Sequence, residues 1–261
     1  MSDLRKKLQA LKDNSYVAGL KTGTEIEDMG EAEIAFLREV SNRLLPLTVK
    51  IGGAEARQDM RICLRQQVDI ILAPMIETVY ALQNFVTTAM EIMEEENQHA
   101  DLAINLESYT ACNHLNEMIA SRYFDALSRV TIGRGDLSGS MHLSPDDALV
   151  LEMAAQAVRK IKNAGKKTSV GGSLKPASIK KVLDVVKSDY VNTRHLLFQV
   201  NPLFIKKAPV YVQKGLEFEW ELYEYLENQF SERKTFYTKR KKAIEKRFLQ
   251  ISLNKNQMGK N

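Results

Sequence analysis

The sequence predicts an α/β protein, a TIM-type (β/α)8 barrel with one strand atypical or missing, followed by a C-terminal helical arm. Three observations favour this class. Short β-type runs alternate with longer amphipathic stretches, several of the runs are almost wholly apolar, and polar residues recur where the runs end. Right-handed crossovers then indicate a parallel sheet. Periodicity alone leaves an open doubly wound sheet as an alternative, but no GxGxxG follows the first strand, and polar residues at many strand ends favour the barrel.

Seven runs are predicted as strands, with helical patterns between them. The runs are VAGLKTG from Val17, LTVKIGG from Leu47, IILAPM from Ile70, LAINLE from Leu102, RVTIGR from Arg129, TSVGG from Thr168 and RHLLFQV from Arg194. The helical patterns include EAEIAFLREVSNRLL, VYALQNFVTTAMEIMEEEN, CNHLNEMIASRYF, PDDALVLEMAAQAVRKIKNAG and PASIKKVLDVVKS. The alternation therefore assigns 1–205 to a barrel domain.

Helical periodicity returns after the last run, so 206–261 is predicted as a C-terminal helical extension. Leu216, Trp220, Tyr223 and Leu226 recur at helical spacing and give this segment one apolar face. We expect that face to pack on the barrel or on a neighbouring subunit.

Composition excludes several classes of protein. Hydrophobic residues make up 44% and charged residues 27% of the chain, which is ordinary for a globular protein that builds a core. No stretch approaches the roughly 18 apolar residues of a membrane span, and the charged N-terminus does not resemble a secretion signal. Cys63 and Cys112 lack metal-ligand spacing and are expected to be reduced thiols. A cytoplasmic location is the expectation.

Four charged residues stand where strands of a barrel end and would display an active site: Lys50, Glu77, Glu107 and Asp136. They follow one another by about one βα unit. Two carboxylates on neighbouring strands with a cation opposite suit a hard divalent metal and an anionic substrate, because Mg²⁺ takes one or two protein carboxylates and fills its shell with other oxygens. Glu107 and Asp136 are the best pair.

The segments LTVKIGGAEARQDM, VDIILAPMIETVYALQNFV, INLESYTACNHLNEMI and SRVTIGRGDLSGSM resemble the HpcH/HpaI aldolase and citrate lyase β-subunit (CitE-like) superfamily in order and spacing. The resemblance covers Tyr16–Val200. It implies a (β/α)8 barrel in which Glu107 and Asp136 bind Mg²⁺ or Mn²⁺, and the substrate's keto and carboxylate oxygens chelate the metal. It also places Glu77 near the metal, where it would orient a water or accept a substrate hydrogen bond.

The chain departs from the family pattern at two points. Lys50 stands where the family carries an Arg that neutralises the developing oxygen anion, so the charge is kept and the bidentate fork is lost. The first strand offers Lys21, Glu25 and Glu27 where aldolase members carry a Glu-His pair, so the aldolase-type histidine base is missing.

Glycines at strand ends and one arginine complete the candidate site. Gly133 and the pair Gly171-Gly172 permit tight turns and close approach of a ligand, and the pair could present N–H groups to a phosphate or carboxylate, although a simple βα turn also explains it. Arg134 would bind a substrate anion or buttress Asp136. With Lys21, these residues form the predicted substrate-binding set.

The segment from Arg233 to Arg247 contains eight Lys or Arg with Phe236 and Tyr237 among them. This composition permits a local nucleic-acid surface, although such segments are far more often something else. A solvated helix face, or contact with an acidic surface of another subunit, is preferred. The resemblance implies trimers or hexamers with exchanged C-terminal helices.

The leading hypothesis is a metal-dependent carbon–carbon lyase or aldolase of the citrate lyase type, with Glu107 and Asp136 as ligands and Lys50 as the electrostatic partner. Its substrate would be a 2-oxo acid, a hydroxy acid or an acyl-CoA ester. Hydrolysis of such an ester, with Glu77 positioning water, is a related option. The alternative is a catalytically reduced ligand-binding or assembly subunit on the same barrel, which the missing base favours.

Overall fold

The computed structural model describes residues 2–258, with side chains for 3–248. Residue 1 of the predicted barrel domain and 259–261 of the predicted extension lie outside the described residues. Eight strands close into one barrel in sequence order. They are β1 (Val17–Gly23), β2 (Leu47–Lys50), β3 (Ile70–Ala73), β4 (Asp101–Leu106), β5 (Leu127–Gly133), β6 (Lys167–Gly171), β7 (Tyr190–Asn192) and β8 (Leu196–Gln199).

Helices surround the barrel and extend past it. They are α1 (Ser2–Ser15), α2 (Glu31–Ser41), α3 (Arg57–Arg65), α4 (Val79–Glu96), α5 (Tyr109–Asn113), α6 (Leu115–Ala120), α7 (Arg134–Ser140), α8 (Ala148–Asn163), α9 (Ile179–Val186), α10 (Pro202–Gln229) and α11 (Lys234–Met258). Thr78, Asp147 and Asn201 cap α4, α8 and α10 by accepting backbone N–H bonds. Within the described residues, no helix combines the length and apolarity needed to cross a membrane.

The predicted fold class is confirmed, and the last two strands supply the atypical part. β1 to β7 pair in parallel, whereas β8 is antiparallel to both β7 and β1. The expectation that the run from Arg194 would be a parallel strand was therefore wrong. Only 193–195 separate β7 from β8, and a parallel crossover needs about a dozen residues, so the chain forms a hairpin instead.

The reversal of β8 decides where the C-terminal helices lie. β8 begins at the mouth, where the other strands end, and finishes at the opposite end of the barrel. From there α10 runs along the outer wall against α1 and α9, with a kink at Lys207 just before Pro209. Gly215 lets α10 approach β8 closely, since a Cβ there would lie 2.7 Å from a Phe198 ring carbon. After α10, α11 returns to the mouth.

Candidate active site

A cavity of about 120 Å³ opens where the parallel strands end, at the mouth of the barrel. By the room one water needs, this volume holds on the order of ten waters, which is the size of a small metabolite. Charged and amide side chains that line it include Lys21, Glu27, Lys50, Asn105, Glu107, Asp136, Asn192, Arg194 and Arg247.

Glu107 follows the last residue of β4 and is only 2% exposed. The Met75 backbone N–H donates to its Oε1 over 3.1 Å, and the Asn105 side-chain amide donates to its Oε2 over 2.8 Å. Lys50 Nζ lies 3.4 Å from the same Oε1. The carboxylate is thus held in one orientation by neighbours on β2, β4 and the segment after β3.

The charged groups around Glu107 shift one another's pKa values. Burial raises the pKa of Glu107, Lys50 lowers it, and the Asp136 carboxylate raises it again, with a net upward shift. Burial would lower the pKa of Lys50, but Glu107 and Glu25, 2.7 Å away, raise it above its ordinary value. Lys50 therefore stays protonated, and the Glu107 and Asp136 carboxylates repel each other.

Gly133, the last residue of β5, makes room for Glu107. A Cβ at this position would lie 2.6 Å from Glu107 Oε2 and 2.7 Å from Glu107 Cβ, closer than van der Waals contact permits. Asp136 lies three residues further on, in the first turn of α7, and lines the same cavity. The glycine that sequence analysis assigned to substrate binding thus touches the predicted metal ligand directly.

The oxygen atoms on this side of the cavity suit a hard divalent cation. Asn105 Oδ1 is buried and has no hydrogen-bond partner among the described residues, although its amide nitrogen is bonded to Glu107. With Glu107 and Asp136 it forms an all-oxygen donor set, which Mg²⁺ prefers. No group of three or more His, Cys, Asp or Glu side chains able to hold a metal occurs in 3–248; two carboxylates are enough for Mg²⁺. We call Asn105, Glu107 and Asp136 the acidic wall.

Two of the predicted site residues face away from the cavity. Glu77 accepts a hydrogen bond from Ser108 Oγ, and its backbone oxygen is 3.0 Å from His114 Nδ1. It ties the segment after β3 to the segment after β4, and it is not among the described residues that line the cavity.

Arg134 is completely buried behind the mouth. Its guanidinium donates to the backbone oxygens of Gly171, Gly172 and Pro145 and pairs with Asp146 at 2.8 Å. Burial lowers its pKa, and Asp146 counteracts this shift. Because its nitrogens are engaged with the protein, Arg134 holds the β6 loop against α7.

Gly171 and Gly172 line the cavity, and both positions require glycine. A Cβ at Gly171 would overlap the Asn192 amide, and one at Gly172 would overlap the Gly135 backbone nitrogen. Gly172 also has φ +84°, which side chains rarely adopt. The tight turn that the sequence suggested is therefore present.

Lys21 on β1 also lines the cavity, as the sequence predicted, and none of the described carboxylates forms an ion pair with it. Burial lowers its pKa, while Glu27 raises it and Lys50 lowers it further.

Two arginines that the sequence pattern did not predict as site residues, Arg194 and Arg247, line the cavity together with Lys21. Arg194 lies in the β7–β8 turn and pairs with Glu27 at 2.6 Å. Burial alone would raise the pKa of Glu27, but Arg194 and Lys21 bring it down to about 2. Arg247 reaches the cavity from α11. We call Lys21, Arg194 and Arg247 the basic wall.

One face of the last helix and the turn before it docks on the mouth of the same barrel. Tyr237 is fully buried and Ile244 is 3% exposed. The residues on this face follow one another at steps of four and three: Arg233, Tyr237, Arg240, Ile244 and Arg247. That spacing was present in the sequence, but the many lysines around it made the segment look like a solvated face.

Acidic and carbonyl groups near α2 hold this face. Arg233 makes two hydrogen bonds to the Glu33 carboxylate, of 2.7 and 2.6 Å, and Tyr237 donates to the same carboxylate. Arg240 donates to the Ile26 backbone oxygen. The acidic partner expected on another subunit lies, for these residues, within the same chain.

Comparisons with known proteins identify the family and the fold. The HpcH/HpaI aldolase/citrate lyase family model matches 47–197. No curated protein sequence matches the chain. The HpcH/HpaI aldolase from Desulfitobacterium hafniense DCB-2 superposes with a TM-score of 0.57 at 13% identity, over 71% of this chain and 80% of that one.

Two further solved structures share the fold. An HpcH/HpaI aldolase/citrate lyase family protein from Burkholderia cenocepacia J2315 gives a TM-score of 0.52 at 16% identity, over 70% of this chain and 89% of that one. Macrophomate synthase gives a TM-score of 0.52 at 12% identity, over 89% and 91%. At these identities the likeness concerns the fold.

Proposed function

Because this chain belongs to the HpcH/HpaI aldolase/citrate lyase family, we propose that it is a divalent-metal-dependent carbon–carbon lyase or aldolase. Its substrate would be a 2-oxo acid, a hydroxy acid or an acyl-CoA ester. The observation that carries the proposal is the convergence of Glu107, Asp136 and the unpartnered Asn105 Oδ1 on one cavity.

In this proposal Glu107 and Asp136 hold Mg²⁺ or Mn²⁺, and Asn105 offers a third oxygen. Breaking a carbon–carbon bond next to a carbonyl leaves negative charge on an enolate oxygen, which must be stabilised. When bound, a divalent cation supplies that stabilisation as a Lewis acid. Relief of the repulsion between the two carboxylates favours cation binding at this place.

The chain's own residues do the rest. Lys50, held protonated by Glu25 and Glu107, adds positive charge beside the acidic wall. Met75 N–H and the Asn105 amide fix the Glu107 carboxylate, so its oxygens need not reorganise when the substrate arrives. The basic wall attracts the carboxylate of the substrate. The protein would work in the cytoplasm as a homo-oligomer, a trimer or hexamer.

One observation favours the alternative of a ligand-binding or assembly subunit. No histidine is among the described residues that line the cavity. His195 is buried, with its ring nitrogens 2.8 Å from the Lys21 backbone oxygen and 2.7 Å from the Tyr223 hydroxyl. A proton acceptor for aldol cleavage would have to be a carboxylate, a lysine or water.

The test measures thermal stability and product release together. We expect Mg²⁺ and Mn²⁺ to raise the melting temperature of the wild type, and Glu107→Gln to abolish that rise. We also expect metal-dependent release of pyruvate, oxaloacetate, acetate or glyoxylate from a panel of hydroxy acids and their CoA esters, reduced roughly 100-fold or more in Glu107→Gln.

Glu117→Gln, an exposed position on α6, is the matched control and should behave as wild type. A metal-dependent rise in melting temperature without product release from any member of the panel would favour the ligand-binding alternative. Absence of both would contradict the proposed function.

A further inference from the structure

Two cationic side chains of the basic wall face the cavity without an ion-pair partner. Arg194 is paired with Glu27 at 2.6 Å, and Lys50 with Glu25 at 2.7 Å. Among residues 3–248, no carboxylate forms an ion pair with Lys21 or Arg247. A half-buried charge without a partner is costly, so both positions favour anionic groups of a ligand.

The carboxylate that raises the pKa of Arg247 forms no ion pair with it. Glu219 on α10 is fully buried. Its Oε1 accepts the His195 backbone N–H at 2.5 Å, and its Oε2 has no hydrogen-bond partner among the described residues. Burial and Arg194 lower the pKa of Arg247, and Glu219 raises it from a distance without bonding to the guanidinium. The five donors of Arg247 remain available to a ligand.

The position of Arg247 is set by the docking of α11. Ile244 and Tyr237 are buried three and ten residues before it on the same helix face, and the Arg247 side chain lines the cavity. Lys21 enters from β1 in the wall. The cations therefore reach the same small cavity from different elements, which matches a ligand with charge at two places.

We propose that Arg247 binds a second anionic group of the substrate, and that the substrate is a small molecule with two such groups. This inference rests on the proposed function and narrows it. The carboxylate next to the reacting carbonyl lies toward the acidic wall and Lys21, and the second carboxylate or phosphate is bound by Arg247.

The experiment compares ligands by isothermal titration of the full chain at constant Mg²⁺. The probes are lactate, with one anionic group, and malate and 3-phosphoglycerate, each with two. We expect the wild type to bind malate or 3-phosphoglycerate more tightly than lactate. Arg247→Gln should weaken the tighter ligand roughly tenfold or more, because a charged hydrogen bond is lost, and leave lactate within about twofold.

Two variants make the result specific. Lys246→Gln removes the same charge at the neighbouring exposed position and should change nothing. Arg247→Lys keeps the charge and should recover part of the affinity. The sole tryptophan, Trp220, reports docking, because its Nε1 donates to Glu245 and Lys241 lies over its ring. Its emission should be unchanged in Arg247→Gln.

Three outcomes would overturn the inference. They are equal binding of lactate, malate and 3-phosphoglycerate by the wild type, an unchanged preference in Arg247→Gln, and a loss that comes with altered Trp220 emission and is not recovered by Arg247→Lys. Binding is the readout, so the inference can fail while product release supports the proposed function. Conversely, a preference that depends on Arg247 supports it even if no carbon–carbon cleavage is found.

Discussion

The acidic and basic walls face the same cavity but are built by different chain paths. Glu107 and Asp136 follow successive parallel strands, and each sits where a βα unit turns. Arg194 sits in a hairpin turn, and Arg247 lies more than fifty residues later on a helix that folds back over the mouth. The repeated βα unit positions the acidic wall. The β7–β8 hairpin and the return of α11, which both interrupt that repeat, position the two arginines of the basic wall. We therefore expect added side-chain volume to disturb the acidic wall. We expect the basic wall to be disturbed by loss of a charged partner or by weaker docking of α11.

The largest effect should come from filling the space beside Glu107. Gly133→Ala puts a methyl group 2.6 Å from Glu107 Oε2, so the carboxylate must move. A displacement of about 1 Å in a catalytic group costs roughly 100-fold in rate. We expect metal-dependent product release to fall by that factor, with about 1–3 kcal/mol lost from the free energy of unfolding.

Gly139→Ala is the matched control, six residues later and outside the residues that line the cavity. A Cβ there would meet nothing within 4 Å. Release rates measured with saturating Mg²⁺ should be close to wild type for Gly139→Ala. Equal rates for both alanine variants would show that Glu107 does not need its observed position.

These two walls also explain which parts of the molecule were predictable. The seven-run pattern, the barrel and the convergence of Lys50, Glu107 and Asp136 follow from local periodicity and from the geometry of parallel strands, both of which leave a local signature. Glu77 has the same spacing, yet it turns toward Ser108, because spacing fixes the strand end and not the side-chain direction. Arg134 likewise stands beside Asp136 in sequence but bonds to the β6 loop behind the mouth.

The features that the sequence did not predict depend on contacts between residues that are far apart in the chain. β7 has only three residues and no apolar run of its own, so it was overlooked. The reversal of β8 follows from the shortness of the 193–195 turn, which can be recognised only once β7 is known. Arg247 reaches the cavity because Arg233 and Tyr237 bind Glu33 about two hundred residues earlier, and no local pattern encodes that pairing.

The second-largest effect should be a pH-dependent change in the free energy of unfolding when the Glu27–Arg194 ion pair is removed. The pKa of Glu27 is about 2 in the folded protein, against about 4.3 in an unfolded chain. This carboxylate therefore stabilises the fold above about pH 4.3, by on the order of 3 kcal/mol, and the contribution is lost as pH falls toward 2. Glu27→Gln should lower the free energy of unfolding by that amount at neutral pH.

Urea unfolding of both proteins between about pH 3 and pH 7 checks this. The difference between wild type and Glu27→Gln should shrink steadily as the pH falls below about 4.3. Glu55→Gln, at an exposed position, should produce no such pH-dependent difference. A gap between wild type and Glu27→Gln that stays constant over this range would contradict the role of Arg194.

The smallest effect should come from one hydroxyl group under α11. Tyr237→Phe keeps the buried ring and removes the hydrogen bond to Glu33. We expect a loss of about 1 kcal/mol in docking free energy, seen as a change in Trp220 emission and faster proteolysis within α11. Tyr80→Phe, 70% exposed on α4, is the control. An unchanged rate of proteolysis would mean that α11 stays docked without the hydrogen bond between Tyr237 and Glu33.

The order of the elements along the chain has a consequence for biosynthesis. All eight strands leave the ribosome before the chain reaches Arg247, so a nascent barrel can close with its acidic wall complete while its entrance is still uncovered. A chain that stops between α10 and α11 would keep Glu107 and Asp136 but would lack Arg247, which lines the cavity from α11. Recombinant fusions for assays are best joined at the amino terminus, away from the helix that covers the entrance.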